Sequence, residues 1–182
     1  MKAHRPYKLV DYDPNWKVLF LDISEKVRNV LGDIVIKIEH IGSTSVVGMI
    51  AKPQIDILVV VKKLEDVGTK HQNMIDAGFT HHGRGYVNDD DDYFSLNTEG
   101  NVRVASIHIL QENNPKIAQY IIFRDYLQSH KEERDLYIKI KKELYLQHSD
   151  NYANYDSGKS ETILDIRQRA MDWDKENTCS FR

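Results

Sequence analysis

The stretch Lys37-Ile-Glu-His-Ile-Gly-Ser-Thr-Ser-Val-Val-Gly-Met-Ile-Ala-Lys-Pro-Gln-Ile-Asp-Ile-Leu-Val-Val-Val-Lys62 decides the fold. It predicts a strand, a Gly-Ser turn, a short irregular or helical passage, and a second strand. Val35, Ile36, Ile38 and Ile41 supply β-branched residues to the first strand. Ile55 and Ile57 to Val61 form a near-continuous apolar run, the pattern of a strand buried on both faces. Asp56 interrupts that run. A carboxylate there needs a metal, a cation or backbone donors to offset its desolvation. Gly42 and Ser43 follow the first strand, where a backbone approaches a ligand with no side chain in the way. A turn of this kind facing a strand-borne aspartate suits a phosphate-plus-metal pocket. The plainer alternative is a tight turn beside a structurally paired aspartate. The passage is not a Walker A loop, because Met49 follows Gly48 where Lys and a hydroxyl residue are needed.

The flanking sequence supplies helices. Asp13-Pro14 is a helix start, and Trp16, Leu19, Phe20, Ile23, Val27, Val30 and Leu31 recur at helical spacing up to Gly32. A further helix is expected from Leu64 to Ala77, stopped by Gly78. Strands are expected near Phe79–His82, Tyr93–Leu96 and Val102–Leu110. From Pro115 onward the pattern is helical, broken by a polar, turn-rich stretch at 151–157. The expected layout is an α/β core over 1–112, a helical subdomain over 113–174 packed on it, and a flexible tail over 175–182.

Bulk properties narrow the function classes. The chain has 182 residues, 41% hydrophobic and 29% charged, with a formal net charge of -3. That length buries a sizeable core without staples. No basic footprint for general nucleic-acid binding is present. The one cysteine, Cys179, rules out a disulfide framework. No apolar run reaches membrane-spanning length and the N-terminus lacks a signal core, so a cytoplasmic location is expected. The oligomeric state is left open.

Several residues are candidates for chemistry. Lys52, fixed in extended geometry by Pro53, suits a point charge on phosphate or a solvated surface role. Glu39 and His40 point to opposite strand faces, so at most one shares the site. His108, among apolar neighbours, suits a metal ligand, a proton shuttle or a satisfied core histidine. The side chains of His81 and His82 diverge on a strand, which disfavours a two-histidine metal site from that pair. Four consecutive acids, Asp89 to Asp92, lack the spacing of a calcium loop and are expected as a solvated loop. Arg124 either reaches an anion or locks the helical layer to the sheet, and Lys159 has the same two roles open.

The segment I-E-H-I-G-S-T-S-V-x-G-x-x-A-K-P-x-I-D-I-L-V resembles the central signature of the GrpB-like family. So do D-Y-D-P-x-W near the start, the later F-R-D-Y-L and the pattern Y-x-x-x-K-x-x-L. The likeness runs from about Val10 to Ala170. The family is a largely uncharacterised bacterial group, some of whose members are fused to dephospho-CoA kinases. It implies a nucleotidyltransferase-like mixed sheet flanked by helices, with a C-terminal helical cap. It also implies that Gly42 and Ser43, with Thr44 and Ser45 behind them, hold phosphates. Lys52, Arg124 and Lys159 would assist, and Asp56 would hold the first metal, Mg2+. Glu39 or His108 would complete the site. Leu58 stands where active nucleotidyltransferases carry a second acid, Ser106 replaces the first histidine of a His-x-His strand motif, and Val47 replaces a proline. One carboxylate is too few for two-metal phosphoryl transfer. The expectation is therefore a protein that binds a nucleotide or other phosphorylated small molecule, with Mg2+-dependent nucleotidyl transfer through Asp56 and His108 if active. The alternative is a non-catalytic ligand-binding or regulatory domain.

Overall fold

A computed structural model describes residues 7–87 and 90–179. Helix α1 (Asn15–Leu31) leads into strand β1 (Val35–Ile41), a single 3-10 turn at Ser43–Ser45, and strand β2 (Ile55–Val61). Helices α2 (Leu64–Gly68) and α3 (His71–Asp76) precede strands β3 (Phe79–Arg84), β4 (Asp92–Asn97) and β5 (Arg103–Gln111). Helices α4 (Pro115–Ser129), α5 (Lys131–His148) and α6 (Tyr152–Cys179) complete the chain. The strands form one mixed sheet in the order β1-β2-β5-β4-β3. Among the described residues only the β2–β5 pairing is parallel. This is the expected α/β class, a mixed sheet flanked by helices.

The central position of β2 explains its apolar run. Ile55, Ile57, Val59 and Val61 pack with Trp16, Ile23, Val27 and Leu31 of α1 on one face. Leu58 and Val60 pack with Ile41 and Leu110 under Ile117, Tyr120 and Ile121 of α4 on the other. Each such aliphatic side chain contributes roughly 1.5–3 kcal/mol by leaving water. A third cluster, Val46, Met49, Tyr126, Leu127, Tyr137, Ile166 and Ala170, joins the three C-terminal helices to the segment between β1 and β2. That segment therefore lies between sheet and helical layer, where a cleft can form.

Four local expectations are corrected. The helix expected over Leu64–Ala77 is two helices, because the Thr69 hydroxyl donates to the Asp66 carbonyl at 2.7 Å and competes with the helical ladder. The turn-rich 151–157 stretch belongs largely to α6, whose start is capped by the Asn151 side chain accepting from Asn154 N–H at 3.2 Å. The expected tail is helical as far as Cys179, supported by a Lys175–Asp172 ion pair at 3.1 Å. Ser180–Arg182 lie outside the described residues. The acidic run is not a solvated loop: Asp91 and Asp92 are fully buried. Histidines hydrogen-bond both, His108 Nδ1 lying 3.1 Å from Asp91 and His71 and His81 each 2.6 Å from Asp92. Asp90 is exposed beside Lys116, and Asp89 lies outside the described residues.

Candidate functional site

The turn after β1 is built around Gly42, whose φ of 71° lies in the left-handed region. Its backbone packs directly on the Asp56 carboxylate: a Cβ built on residue 42 would overlap Oδ2 and stand 3.0 Å from Asp56 Cβ. Asp56 pairs with Ile41 in the antiparallel ladder, which fixes this juxtaposition. On the other side Asp56 pairs with Ser106 of β5. In front of this floor lies a cleft of about 210 Å³ lined by Ser43, Thr44, Lys52, Gln54, Asp56, Lys141, Tyr152, Tyr155, Asp156 and Lys159.

Three lysines from three elements converge there. Lys141 of α5 is buried and donates to Ser43 Oγ at 2.5 Å and to the Ile50 carbonyl at 2.9 Å. Lys52, ahead of β2, stands over the Tyr152 ring at 3.8 Å. Lys159 of α6 lies 4.6 Å from the Tyr155 ring centre and 3.0 Å from Asp156. Gly158 permits this approach of α6 to α5, since a Cβ there would stand 2.6 Å from Leu144 Cδ2.

Enclosing like charges distorts their titration. Burial pulls Lys52 down to about 8, and repulsion from Lys159 adds to it. Burial also holds Lys141 well below the ordinary lysine range, again with Lys159 contributing. Burial pushes the Asp56 carboxyl up, against the opposing pull of His108, Lys52 and Lys159. Burial acts on Asp156 in the same direction, but the Lys159 ammonium outweighs it and holds that carboxyl below its usual range. Three lysines face two carboxylates, and an anion in the cleft would favour the ammonium forms that burial disfavours.

A polar chain leads away from the floor. Gln54 Nε2 donates to Ser106 Oγ at 2.7 Å, and the Tyr93 hydroxyl donates to the same oxygen at 2.9 Å. Arg103 Nη1 donates to that tyrosine oxygen at 2.9 Å.

Of the residues expected at the site, Ser43, Thr44, Lys52, Asp56 and Lys159 line this cleft, and Gly42 backs it. The others stand elsewhere. Ser45 donates to the Gly42 carbonyl at 2.6 Å and shapes the turn. Arg124 donates to Glu39 Oε2 at 2.6 Å, to the His40 carbonyl at 3.1 Å and to Asp125 at 2.7 Å, locking α4 to β1. Glu39 also pairs with Lys37 at 2.6 Å. Burial would raise Glu39, but these two cations hold it below the usual carboxylate range. His108 holds Asp91 and contacts Tyr93 and Tyr120, reaching Asp56 only through its field.

Sequence reasoning missed Gln54, Lys141, Tyr152, Tyr155 and Asp156. A signal for Lys141 exists: it falls on the apolar phase of α5, four residues after Tyr137 and three before Leu144. A lysine on a buried stripe demands a partner. The two tyrosines and Asp156 were hidden by the mistaken turn assignment.

Comparison with known proteins gives consistent matches. The model of the family described as GrpB protein matches residues 6–169. UPF0157 protein YqkA of Bacillus subtilis is 34% identical over 171 residues, 94% of this chain and 49% of that protein. The chain thus spans about half the length of YqkA. UPF0157 protein BH1888 of Halalkalibacterium halodurans is 32% identical over 89% of this chain and 81% of its own. The crystal structure of the conserved protein GrpB from Enterococcus faecalis superposes with a TM-score of 0.84 at 29% identity, covering 91% of this chain and 98% of that one.

Proposed function

The chain belongs to the GrpB family, and we propose that its cleft binds the phosphate groups of a nucleotide or another phosphorylated small molecule. The observation that carries this reading is the convergence of Lys52, Lys141 and Lys159 on Ser43 and Asp56. Sites for whole small molecules run to about 300–1,000 Å³. The enclosed volume is about 210 Å³, so the phosphate end enters and the remainder lies at the mouth. Lysines serve here as point charges, and an anion among them restores the charged state that their crowding disfavours.

A single Mg2+ accompanying the phosphates fits the donor set, with the Asp56 carboxylate as its protein oxygen. It would neutralise phosphate charge there. A pair of metals does not fit: the side chain two residues after Asp56 is the buried Leu58, and Glu39 is engaged by Lys37 and Arg124. Nucleotidyl transfer is therefore the second reading. It is favoured by the packing of Asp56 on the Gly42-Ser43 turn, the arrangement expected of nucleotidyltransferase-like folds.

Calorimetric titration and thermal shift with ATP, other nucleoside triphosphates, dephospho-CoA and inorganic phosphate, each with and without Mg2+, test the reading. Saturable binding of a phosphorylated compound, weakened in Lys159→Ala, is expected; a ligand that binds raises apparent stability by mass action. No shift from any of them would overturn it. Mg2+-dependent release of pyrophosphate from an NTP, with the nucleotidyl group carried to an acceptor and both lost in Asp56→Asn, would establish transfer. Binding without turnover would leave the non-catalytic, regulatory role.

A further inference from the structure

A second cluster lies on the opposite face of the sheet. His71 opens α3, His81 lies in β3 and Asp92 begins β4. His71 Nε2 stands 2.6 Å from Asp92 Oδ2, and His81 Nε2 stands 2.6 Å from Oδ1. Ligand atoms from all three lie within 4.8 Å of one another. We propose that His71, His81 and Asp92 form a binding site for a divalent transition metal, of which Zn2+ is the test ion.

The chemistry of the donors selects the ion. Neutral imidazole nitrogen suits zinc and its first-row neighbours, whereas Mg2+ and Ca2+ prefer oxygen cages. Two histidines and one carboxylate make three protein ligands, which leaves a fourth tetrahedral position for water. Tetrahedral bonds of about 2.1 Å separate ligand atoms by about 3.4 Å, so each imidazole has to withdraw from the carboxylate by less than about 1 Å. The surroundings leave that freedom on one side only. Asp92 is fully buried, while the side chains of His71 and His81 are 29% and 23% exposed, so an ion can enter from solvent.

The packing favours a cation between these groups. His81 stacks on Phe94 at 4.5 Å between ring centres, and His71 meets the same ring edge-on at 5.7 Å. The two imidazoles are themselves 3.9 Å apart between ring centres. Both Nε2 atoms thus face one fully buried carboxylate, and a divalent ion seated among them would meet the Asp92 charge and use both nitrogen lone pairs. The ligands come from three elements, so the ion would pin α3 to the β3–β4 edge of the sheet.

The test uses the tag-free 182-residue chain stripped with chelator. Calorimetric titration with Zn2+ is expected to show one equivalent binding. His71→Gln and His81→Gln are each expected to weaken it about 10-fold or more, and His82→Gln, on the other face, to leave it unchanged. Mg2+ is expected not to compete. Co2+ added to the unmodified chain gives a readout independent of how the variants fold: intense ligand-field absorption of low-symmetry, four-coordinate Co2+, displaced by Zn2+. Absence of Zn2+ binding, binding that survives both substitutions, or only the weak spectrum of hydrated Co2+ would each overturn the proposal.

Discussion

The backbone of Gly42 and the carboxylate of Asp56 are packed so closely that a methyl group on residue 42 would overlap Oδ2. Two penalties therefore attend Gly42→Ala. The φ of 71° costs a β-carbon-bearing residue about 1 kcal/mol, and the overlap adds about 1–3 kcal/mol. A loss of about 2–4 kcal/mol in chemical denaturation is expected. In the Asp56→Ala background the overlap with Oδ2 is gone, though the 3.0 Å approach to the β-carbon stays, so the same substitution should cost less than it does alone, a departure from additivity in the double-mutant cycle. Strict additivity would show that the contact carries no energy.

Lys52 makes ligand affinity depend on pH. In the free protein burial lowers it to about 8, and a bound phosphate stabilises its ammonium form. Binding above about pH 8 therefore requires proton uptake, and affinity should fall by up to about tenfold per unit as pH rises past that point. Folding stability moves the other way. The unfolded chain holds the Lys52 proton up to its ordinary value of 10.5, so this group adds stability as pH rises from about 8 toward 10.5. Titrations in buffers of different ionisation enthalpy would detect the proton; the same affinity at pH 7 and pH 9.5 would count against the assignment.

His40 predicts acid lability. Its ring stacks on Phe20 at 4.7 Å and shares a 2.9 Å hydrogen bond with Thr44. Burial, aided by Arg124, lowers it to about 4. Between about 4 and 6.5 the unfolded chain binds the proton and the folded chain does not, so stability is lost as pH falls through that window. About 2 kcal/mol is expected after allowing for solvent at the exposed edge of the ring. Urea denaturation at pH 7 and pH 4.5 measures it, and His40→Gln should flatten the difference.

Arg124 separates structural from ligand-binding cations. Arg124→Ala removes a half-buried clamp between α4 and β1 and should cost about 1–3 kcal/mol, or roughly 2–4 °C in Tm per kcal/mol. Phosphate-ligand affinity should be unchanged. Lys159→Ala should do the reverse, weakening binding about tenfold or more with a small effect on Tm. If Arg124→Ala weakens binding as much as Lys159→Ala does, the cleft is misassigned.

The sheet and the glycine turn were legible because they depend on local pattern. The run from Ile55 to Val61 states its burial on both faces, and Asp56 within it announces a partner. Side chains from the helical layer were harder to place, because Lys141 and Tyr155 reach the cleft that holds Asp56 only through the packing of α5 and α6. Arg124 shows the converse: adjacency to Asp125 within a helix left two roles open, and only the position of Glu39 across the interface decides between them. The run from Asp89 to Asp92 misled because charge alone reads as solvation, whereas histidines distant in sequence hydrogen-bond its inner half.

Strand alternation sends the side chains of Asp91 and Asp92 through the sheet in opposite directions. Asp91 grips His108, whose field bears on Asp56, and Asp92 lies between His71 and His81. A single peptide thus joins the two faces of the sheet. Register here is shared by both faces: a one-residue slip of this segment would turn each carboxylate away from its histidines.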